Sequence, residues 1–237
     1  MLDISKIRAI SLDLDDTLWP VWPVIERAEQ ALARWLGQQA PGAAAVFADP
    51  LARQALREHV VRTHPEMGHD LSALRRESIR LALQHAHEDT RLAEPAFEVF
   101  FGERMRVDLF DDVRPALAFL AARFPLVALS NGNADVGRVG LGEFFVAGLS
   151  ACEFGVGKPD PRIFHAAAGS AGVVADAVLH VGDDAALDVL GARRAGMQAV
   201  WVNRSGHPWA HDVAPHGTIA SLHELCELLQ VVPPRPY

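Results

Sequence analysis

Short apolar runs alternate with amphipathic stretches along most of this 237-residue chain, and this alternation restricts the fold more than any other feature. Amphipathic helices are predicted over residues 111–123, 161–172 and 184–195. Apolar strands are predicted over residues 8–15, 126–129, 146–149, 178–181 and 199–202. Strands that alternate with helices form βαβ units, so the sequence predicts an α/β fold with a doubly wound parallel sheet between two layers of helices.

The connection between the first two strands is much longer than a parallel sheet requires. From Leu18 to Leu129 the chain runs for 112 residues, whereas a βαβ crossover needs only about a dozen. Helical spacing of apolar residues recurs over 24–36, 51–61, 71–85 and 91–106, with breaks at Pro41-Gly42, His64-Pro65 and Glu94-Pro95. We therefore expect an inserted α-helical cap domain at residues 19–106 and a core formed by residues 1–18 and 107–237. The proline-rich end at 233–236 is expected to fray.

Composition and charge exclude several classes of partner. The net charge of −8 does not provide the basic field on which sequence-independent nucleic-acid binding depends. Apolar stretches such as Phe124–Leu129 are shorter than the ~18 residues that cross a bilayer, and Met1–Ile10 does not form a secretory signal. Cys152 and Cys226 form no paired motif and are expected to be buried and reduced. We expect a cytoplasmic protein that binds neither nucleic acid nor membrane, and its oligomeric state stays open.

Polar side chains follow the ends of the predicted strands, where an open parallel sheet binds its ligands. Two carboxylates ~4 Å apart repel each other by about 4 kcal/mol at an effective dielectric of 20, so a cluster of them favours a bound cation. Hard oxygen ligands in this number favour Mg²⁺. The residues at these strand ends are Asp13, Asp15, Asp16, Thr17, Ser130, Asn131, Asn133, Lys158, Asp183, Asp184 and Asp188.

Lys158 is unusual for this chain. Arginine fills 20 of the 22 basic positions, and the only lysines are Lys6 and Lys158. A lysine between Gly157 and Pro159 therefore indicates a site that needs a compact point charge rather than a planar guanidinium. The alternative is an ordinary surface lysine.

Four segments, in this order, resemble the motifs of the haloacid dehalogenase superfamily of aspartate-nucleophile phosphohydrolases. These segments are Asp13-Leu-Asp-Asp-Thr17, Ser130-Asn131, Lys158-Pro159, and Gly182-Asp183 through Asp188. The resemblance covers nearly the whole chain and implies a Rossmann-like core, and the long insert resembles the helical cap subclass. The segments LDLDDTLWP, LSNGNA, GLGEFF, GKPDPRIF and HVGDD are similar to bacterial members thought to dephosphorylate flavin mononucleotide or the 5-amino-6-(5-phosphoribitylamino)uracil intermediate of riboflavin synthesis.

The resemblance implies a Mg²⁺-dependent phosphomonoesterase that acts on a small phosphorylated metabolite. Asp13 would attack the phosphate and form an aspartyl-phosphate. Asp15 would protonate the leaving alkoxide and then activate water. The phosphate would be held by Ser130, the Asn131 amide and Lys158, with Thr17 tying the turn to the site by hydrogen bonds. The metal would be held by Asp13, the backbone oxygen of Asp15, Asp183 and Asp188, with Asp184 as a competitor for the last place.

Several alternatives remain beside this interpretation. A phosphomutase would keep every motif and differ only in excluding water from the phospho-enzyme. A dehalogenase needs the aspartate nucleophile but no leaving-group acid at the position of Asp15. A signalling receiver would carry its acceptor aspartate after the third strand, where Ser150-Ala151-Cys152 stand. A binding protein without catalysis is disfavoured because all four motifs keep chemically competent residues.

Substrate choice is assigned to the insert, because the motif residues contact only the phosphoryl group. Four residues are candidates to contact a flat heterocycle, by stacking or with an arginine plane, although ordinary packing is the alternative for each. They are Trp19, Trp22, Arg75 and Arg76. His180 lies inside the fourth strand and is expected to be a hydrogen-bonded core residue rather than a base.

Overall fold

The computed structural model describes residues 1–234, and the chain divides into two compact units. The α/β unit consists of Met1–Pro20 and 108–237, and the helical unit consists of Val21–Val107. The proline-rich end expected to fray lies partly outside the described residues. Within residues 1–234 no helix combines the length and the apolar character needed to cross a membrane.

A six-stranded sheet, parallel throughout, forms the centre of the α/β unit, with the order β3-β2-β1-β4-β5-β6. The strands are β1 (Ala9–Leu12), β2 (Leu126–Ser130), β3 (Ala147–Ser150), β4 (Val178–Gly182), β5 (Gln198–Val202) and β6 (Gly217–Ile219). Every residue of β1, β2, β4 and β5 is buried, as expected for parallel strands covered on both faces. The predicted α/β fold is therefore confirmed. The sequence did not indicate β6, an edge strand of three residues of which only Ile219 is buried.

Five helices form the helical unit: α1 (Val21–Gln39), α2 (Pro41–Ala48), α3 (Pro50–Thr63), α4 (Leu71–His85) and α5 (Ala93–Arg104). Its core consists of apolar side chains from all five helices, including Leu32, Phe47, Leu56, Ile79 and Phe97. The sequence pattern does not indicate α2, because Pro41-Gly42 is typical of a break between helices. Proline is favoured in the first turn of a helix, and here Pro41 begins α2.

The helices of the α/β unit are α6 (Val113–Ala121), α7 (Ala151–Phe154), α8 (Pro161–Ser170), α9 (Gly191–Arg194) and α10 (Leu222–Leu229). The helix predicted over 184–195 begins as a π-helical turn, Ala185–Leu190, which leads into α9. Such wide turns occur often at functional sites, and this one buries the side chain of Asp188. Cys226 is buried on α10, but Cys152 is only half-buried because α7 follows the partly exposed edge strand β3. The expectation of two buried thiols is wrong for Cys152.

Two segments of the α/β unit that flank the insertion are hydrogen-bonded to each other. The backbone N–H of Phe110 donates to the carbonyl of Leu18 at 3.1 Å. Arg204, after β5, donates to the carbonyl of Thr17 at 3.0 Å and forms a bidentate pair with Asp112 at 3.0 and 3.1 Å. The chain therefore leaves and re-enters the α/β unit at neighbouring points.

Candidate active site

Asp13 lies at the centre of the sheet edge formed by the carboxyl ends of the strands. It follows β1 directly, and its backbone N–H donates to the carbonyl of Val181 on β4 at 2.9 Å. This bond continues the pairing of β1 with β4 by one residue and fixes the backbone from which the carboxylate projects. The side chain of Asp13 is nearly buried, so its charge needs compensation from neighbouring groups.

Lys158 provides that compensation. Its ammonium donates to Oδ1 of Asp13 at 2.5 Å and to Oδ1 of Asp188 at 2.6 Å, and its side chain is 2% exposed. Burial alone would lower the pKa of Lys158, but the two carboxylates raise it above its ordinary value, so the ammonium stays charged. The alternative of an ordinary surface lysine is therefore wrong.

Asn131 holds the backbone of Lys158 on both sides. The Asn131 side chain donates to the Lys158 carbonyl at 2.8 Å and accepts from the Lys158 N–H at 2.7 Å. A Cβ atom at Gly157 would lie 2.5 Å from Oδ1 of Asn131, so only glycine permits this approach. The Asn131 side chain thus positions Lys158, and the contact of the Asn131 amide with phosphate stays a prediction.

Asp188 is the most completely bonded carboxylate of the site. Its Oδ1 accepts from Lys158 and from Nε2 of His180 at 3.0 Å, and its Oδ2 accepts from the N–H of Asp184 at 3.0 Å. Burial opposes ionisation, but Lys158 and His180 outweigh it and hold the pKa of Asp188 well below its ordinary value. Gly182 is required beside it, because a Cβ atom there would lie 2.3 Å from Cγ of Asp188.

Asp184 and Asp188, the two candidates for the last metal ligand, have different partners in the structure. The carboxylate of Asp184 accepts from the N–H groups of Ala186 and Leu187, each at 2.8 Å, and so caps the wide turn that follows β4. The carboxylate of Asp188 instead lies beside Asp13. Of the two, Asp188 is the one that lies in the carboxylate cluster, and its role as a metal ligand stays a prediction.

Three carboxylates could hold a metal ion. Oxygen atoms of Asp13, Asp183 and Asp188 all lie within 4.8 Å of one another. Burial raises the pKa of Asp13 well above its ordinary value despite Lys158, and Asp188 and Asp183 add to the rise. Burial and the charge of Asp188 raise the pKa of Asp183 to about 7. Burial and neighbouring carboxylates thus disfavour the charged forms of Asp13 and Asp183, and a hard divalent cation such as Mg²⁺ beside the three carboxyl groups would offset this cost.

The loop after β1 is fixed by hydrogen bonds of its own side chains. Nε1 of Trp19 donates to Oδ1 of Asp15 at 2.9 Å, and the Thr17 hydroxyl donates to Oδ1 of Asp183 at 3.1 Å. Asp16 has a left-handed φ of 56° and donates its N–H to the carbonyl of Trp19. Thr17 thus ties the turn to the site, as expected. Trp19 is completely buried, so its predicted contact with substrate is corrected: the ring orients Asp15 instead.

Ser130 ends β2 beside β1. It is 3% exposed, and its hydroxyl oxygen accepts from the N–H of Gly132 at 2.9 Å. The structure thus brings Ser130 to the same strand-end edge as Asp13, and its contact with phosphate stays a prediction.

The two arginine candidates of the helical unit pack against phenylalanines of the same unit. Arg75 pairs with Glu29 at 2.7 Å, and its guanidinium lies 4.2 Å from the centre of the Phe100 ring. Arg76 similarly pairs with Glu94 at 2.9 Å and stacks 3.6 Å from the centre of the Phe97 ring. Their predicted contact with substrate is corrected, since each guanidinium is already paired and stacked. Trp22, by contrast, is 74% exposed.

Sequence reasoning missed two residues that contact the site. Ser11, on β1, contacts Nδ1 of His180 at 2.8 Å, and Trp201, on β5, donates from Nε1 to the carbonyl of Asp183 at 2.7 Å. Both stand inside apolar strands, where nothing in the pattern distinguishes them from ordinary core residues. His180 is a hydrogen-bonded core residue, as predicted.

The site thus combines a buried lysine shared by two carboxylates with a third carboxylate, at the carboxyl ends of the strands of a parallel sheet. The chain belongs to the haloacid dehalogenase-like hydrolase family, whose model matches residues 7–196.

Relatives that match almost the whole chain carry two kinds of name. A 5-amino-6-(5-phospho-D-ribitylamino)uracil phosphatase from Escherichia coli (strain K12) is 35% identical, over 95% of this chain and 98% of the relative. A phosphoserine phosphatase from Thermus thermophilus is 32% identical, over 92% and 98%. A 2-haloacid dehalogenase from Pseudomonas syringae pv. Tomato DC3000, known from its crystal structure, is 41% identical in sequence. Its structure superposes with a TM-score of 0.90, and the match covers 95% of this chain and 99% of the dehalogenase.

Proposed function

We propose that this protein is a phosphomonoester hydrolase that requires Mg²⁺ and works through an aspartyl-phosphate. The observation that carries the proposal is the buried contact of Lys158 with Asp13 and Asp188, at 2.5 and 2.6 Å, next to Asp183. A carboxylate that attacks a phosphate ester meets like charge, so the reaction depends on positioning and neutralisation. Lys158 supplies a fixed positive charge beside the attacking oxygen.

Asp13 and Asp15 divide the chemistry between them. Asp13 attacks phosphorus, and the aspartyl-phosphate forms as the ester oxygen leaves. Asp15 protonates that oxygen and then accepts a proton from the water that cleaves the aspartyl-phosphate, so both carboxyl groups are regenerated. The indole N–H of Trp19, 2.9 Å from Asp15, supports this role because it fixes the direction of the carboxyl group. Ser130 would bind a phosphoryl oxygen together with Lys158.

The carboxylates of Asp13, Asp183 and Asp188, with the backbone oxygen of Asp15, would hold the metal. Their hard oxygen donors and crowded negative charge support Mg²⁺. When bound, this ion would neutralise the negative charge of the carboxylates and of the phosphoryl oxygens.

The substrate in this proposal is a small phosphorylated metabolite, either flavin mononucleotide or the ribitylaminouracil phosphate of riboflavin synthesis, handled in the cytoplasm. The Escherichia coli relative named for the second compound, which matches 95% of this chain, supports the choice. We further propose that the helical unit acts as a cap that selects the leaving group, with Trp22 as its exposed aromatic contact.

A 2-haloacid dehalogenase is the second candidate, because the Pseudomonas syringae protein of that name is 41% identical. Dehalogenation needs an aspartate nucleophile but no leaving-group acid two residues further on. This chain has Asp15 there, held by the indole of Trp19. We therefore favour the phosphatase.

The test compares phosphate and halide release by the purified protein. With an aryl phosphate we expect turnover that excess chelator abolishes and Mg²⁺ restores, with Ca²⁺ a poor substitute because its longer bonds and looser geometry misplace the attacking oxygen. Turnover that persists fully in chelator would contradict the metal assignment. Asp15→Asn should abolish phosphate release, whereas release of chloride from 2-chloropropionate, if it occurs, should survive the substitution.

A substrate panel then addresses the finer proposal. It contains flavin mononucleotide, the ribitylaminouracil phosphate, phosphoserine, sugar phosphates and nucleotides. Preference for a small sugar phosphate would overturn the flavin assignment and leave the phosphatase intact. Formation of an isomeric phosphate ester instead of inorganic phosphate would identify a mutase.

A further inference from the structure

A row of three side chains runs from the middle of the sheet to the active site. The Ser11 hydroxyl contacts Nδ1 of His180 at 2.8 Å, and Nε2 of His180 contacts Oδ1 of Asp188 at 3.0 Å. All three residues are at most 1% exposed. Asp188 in turn accepts from Lys158, which contacts Asp13.

The partners fix the direction of each hydrogen bond. The carboxylate of Asp188 can only accept, so Nε2 of His180 carries a proton and donates to it. Nδ1 of the neutral ring is then an acceptor, and the Ser11 hydroxyl donates to it. Both ring nitrogens are satisfied, which removes the penalty of burying them. The ring also packs edge-on against Phe164, at 5.1 Å between centroids.

Three donors reach Asp188 from different directions. Lys158 and His180 both contact Oδ1, and the N–H of Asp184 contacts Oδ2. Without the donor from His180, only Lys158 and one backbone N–H would hold the carboxylate. The carboxylate would then be freer to turn, and the ammonium of Lys158 would lose its fixed distance from Asp13.

We propose that His180 is a positioning residue, which orients Asp188 and through it holds Lys158 against Asp13. The inference rests on the proposed function only in requiring that Lys158 act beside Asp13. It differs from a packing role, which would need the volume of the ring but not its Nε2–H group. Ser11 supports the same arrangement by holding Nδ1 as the acceptor.

Two amide substitutions separate positioning from packing. The side-chain amide of His180→Gln reaches as far from the backbone as Nε2 and can keep the donor to Asp188. The shorter amide of His180→Asn reaches only the position of Nδ1. It can keep a hydrogen bond with Ser11 but not the one with Asp188. Both variants lose the ring that packs on Phe164, so each serves as the packing control of the other.

The first measurement is the steady-state rate with an aryl phosphate and Mg²⁺. For His180→Asn we expect kcat to fall by about 10- to 100-fold, the range typical of lost outer hydrogen bonds at such sites, with KM unchanged. For His180→Gln we expect most of kcat to be retained. Equal losses in the two variants would overturn the positioning role.

The second measurement needs no turnover. The chain has only two lysines, so protein labelled with ¹³C and ¹⁵N at lysine gives two side-chain sets of NMR signals. Lys6, which is exposed, serves as the internal reference. We expect the Lys158 signal to shift in His180→Asn and to stay near its parental position in His180→Gln. The same Lys158 signal in both variants would overturn the proposal.

The two proposals fail in different ways. A parent protein without phosphatase activity would refute the proposed function, while the Lys158 signals would still test the role of His180. Should an amide variant fail to fold, Ser11→Ala keeps the ring and removes only its outer bond. In that variant we expect a smaller shift of the Lys158 signal and a smaller loss of kcat, and no change in either would contradict the inference.

Discussion

The two units of the chain pair their charged side chains differently. In the helical unit, Arg75 and Arg76 each have one carboxylate partner and one phenylalanine ring. In the α/β unit, one lysine serves two buried carboxylates, with Asp183 as a third beside them. Each pair of the helical unit thus joins one cation to one carboxylate, whereas the cluster of the α/β unit holds three carboxyl groups and one ammonium. In the proposed function, the carboxylate cluster of the α/β unit holds a cation beside an anionic substrate, whereas the pairs of the helical unit serve its own packing.

The sharpest way to test this contrast is to neutralise one carboxylate in each unit. Asp13→Asn keeps the shape of the side chain but removes the attacking charge, so kcat on an aryl phosphate should fall by orders of magnitude. Circular dichroism should show that the variant stays folded. Glu94→Gln, in the helical unit, should leave kcat unchanged. If Asp13→Asn retained the parental rate, Asp13 would not be the nucleophile.

The second prediction compares the two lysines. Lys158→Met and Lys6→Met each remove one positive charge, but only the first removes the charge beside Asp13. We expect a loss of kcat of about 100-fold or more for Lys158→Met, as for loss of a donor that stabilises transition-state charge, and none for Lys6→Met. Steady-state kinetics at a temperature where both variants are folded measures the difference. Small and equal effects would mean that the buried contact of Lys158 has no catalytic role.

The third prediction uses Mg²⁺ to distinguish the units by stability. At a concentration of 100 times the dissociation constant, a ligand of the folded state stabilises it by about 2.7 kcal/mol. Hydrogen exchange should therefore slow in peptides that carry Asp13 and Asp183, and remain unchanged across the core helices of Val21–Val107. Asp183→Asn should weaken this protection, and Asp212→Asn, an exposed carboxylate away from the triad, should not. Equal protection of both units would refute a metal site confined to the α/β unit.

The smallest expected effect concerns substrate choice. Trp22→Ala removes an exposed ring, and KM for flavin mononucleotide should rise by about two- to tenfold, the value of one aromatic contact. Hydrolysis of a small acyl phosphate should not change, since it makes no contact with the helical unit. Arg76→Ala is the matched control, because its guanidinium is used inside its own unit. Parallel losses on both substrates would mean that Trp22 supports the fold instead.

The residues of the α/β site could be found in the sequence because their signals are local. Asp13 stands directly after a strand of four buried residues, and Lys158 between Gly157 and Pro159, in a chain with few lysines. The parallel sheet then brings together residues that are far apart in sequence. Strand ends are predictable from apolar runs, so the position of the carboxylates and of Lys158 could be predicted too.

The contacts that candidate site residues make in the fold depend on partners that local sequence patterns do not reveal. The contact of Arg75 with Phe100 and that of Asn131 with Lys158 each join residues more than 20 positions apart. The sequence around a helical arginine is the same whether the side chain faces a ligand or a phenylalanine of a neighbouring helix. The role of Trp19 is hidden for a related reason. Its partner Asp15 is close in sequence, but the complete burial of the ring follows from tertiary packing.

The bond between Phe110 and Leu18 has a consequence for how such a chain can be rebuilt. Because the chain leaves and re-enters the α/β unit at adjacent backbone positions, the inserted segment begins and ends at almost one point. We expect a foreign segment to be accepted there when its own ends lie close together, as they do in many small domains. Arg204 and Asp112 reinforce the junction from the side of the sheet, independently of what is inserted. The α/β unit thus holds both ends of the insertion through contacts among its own residues.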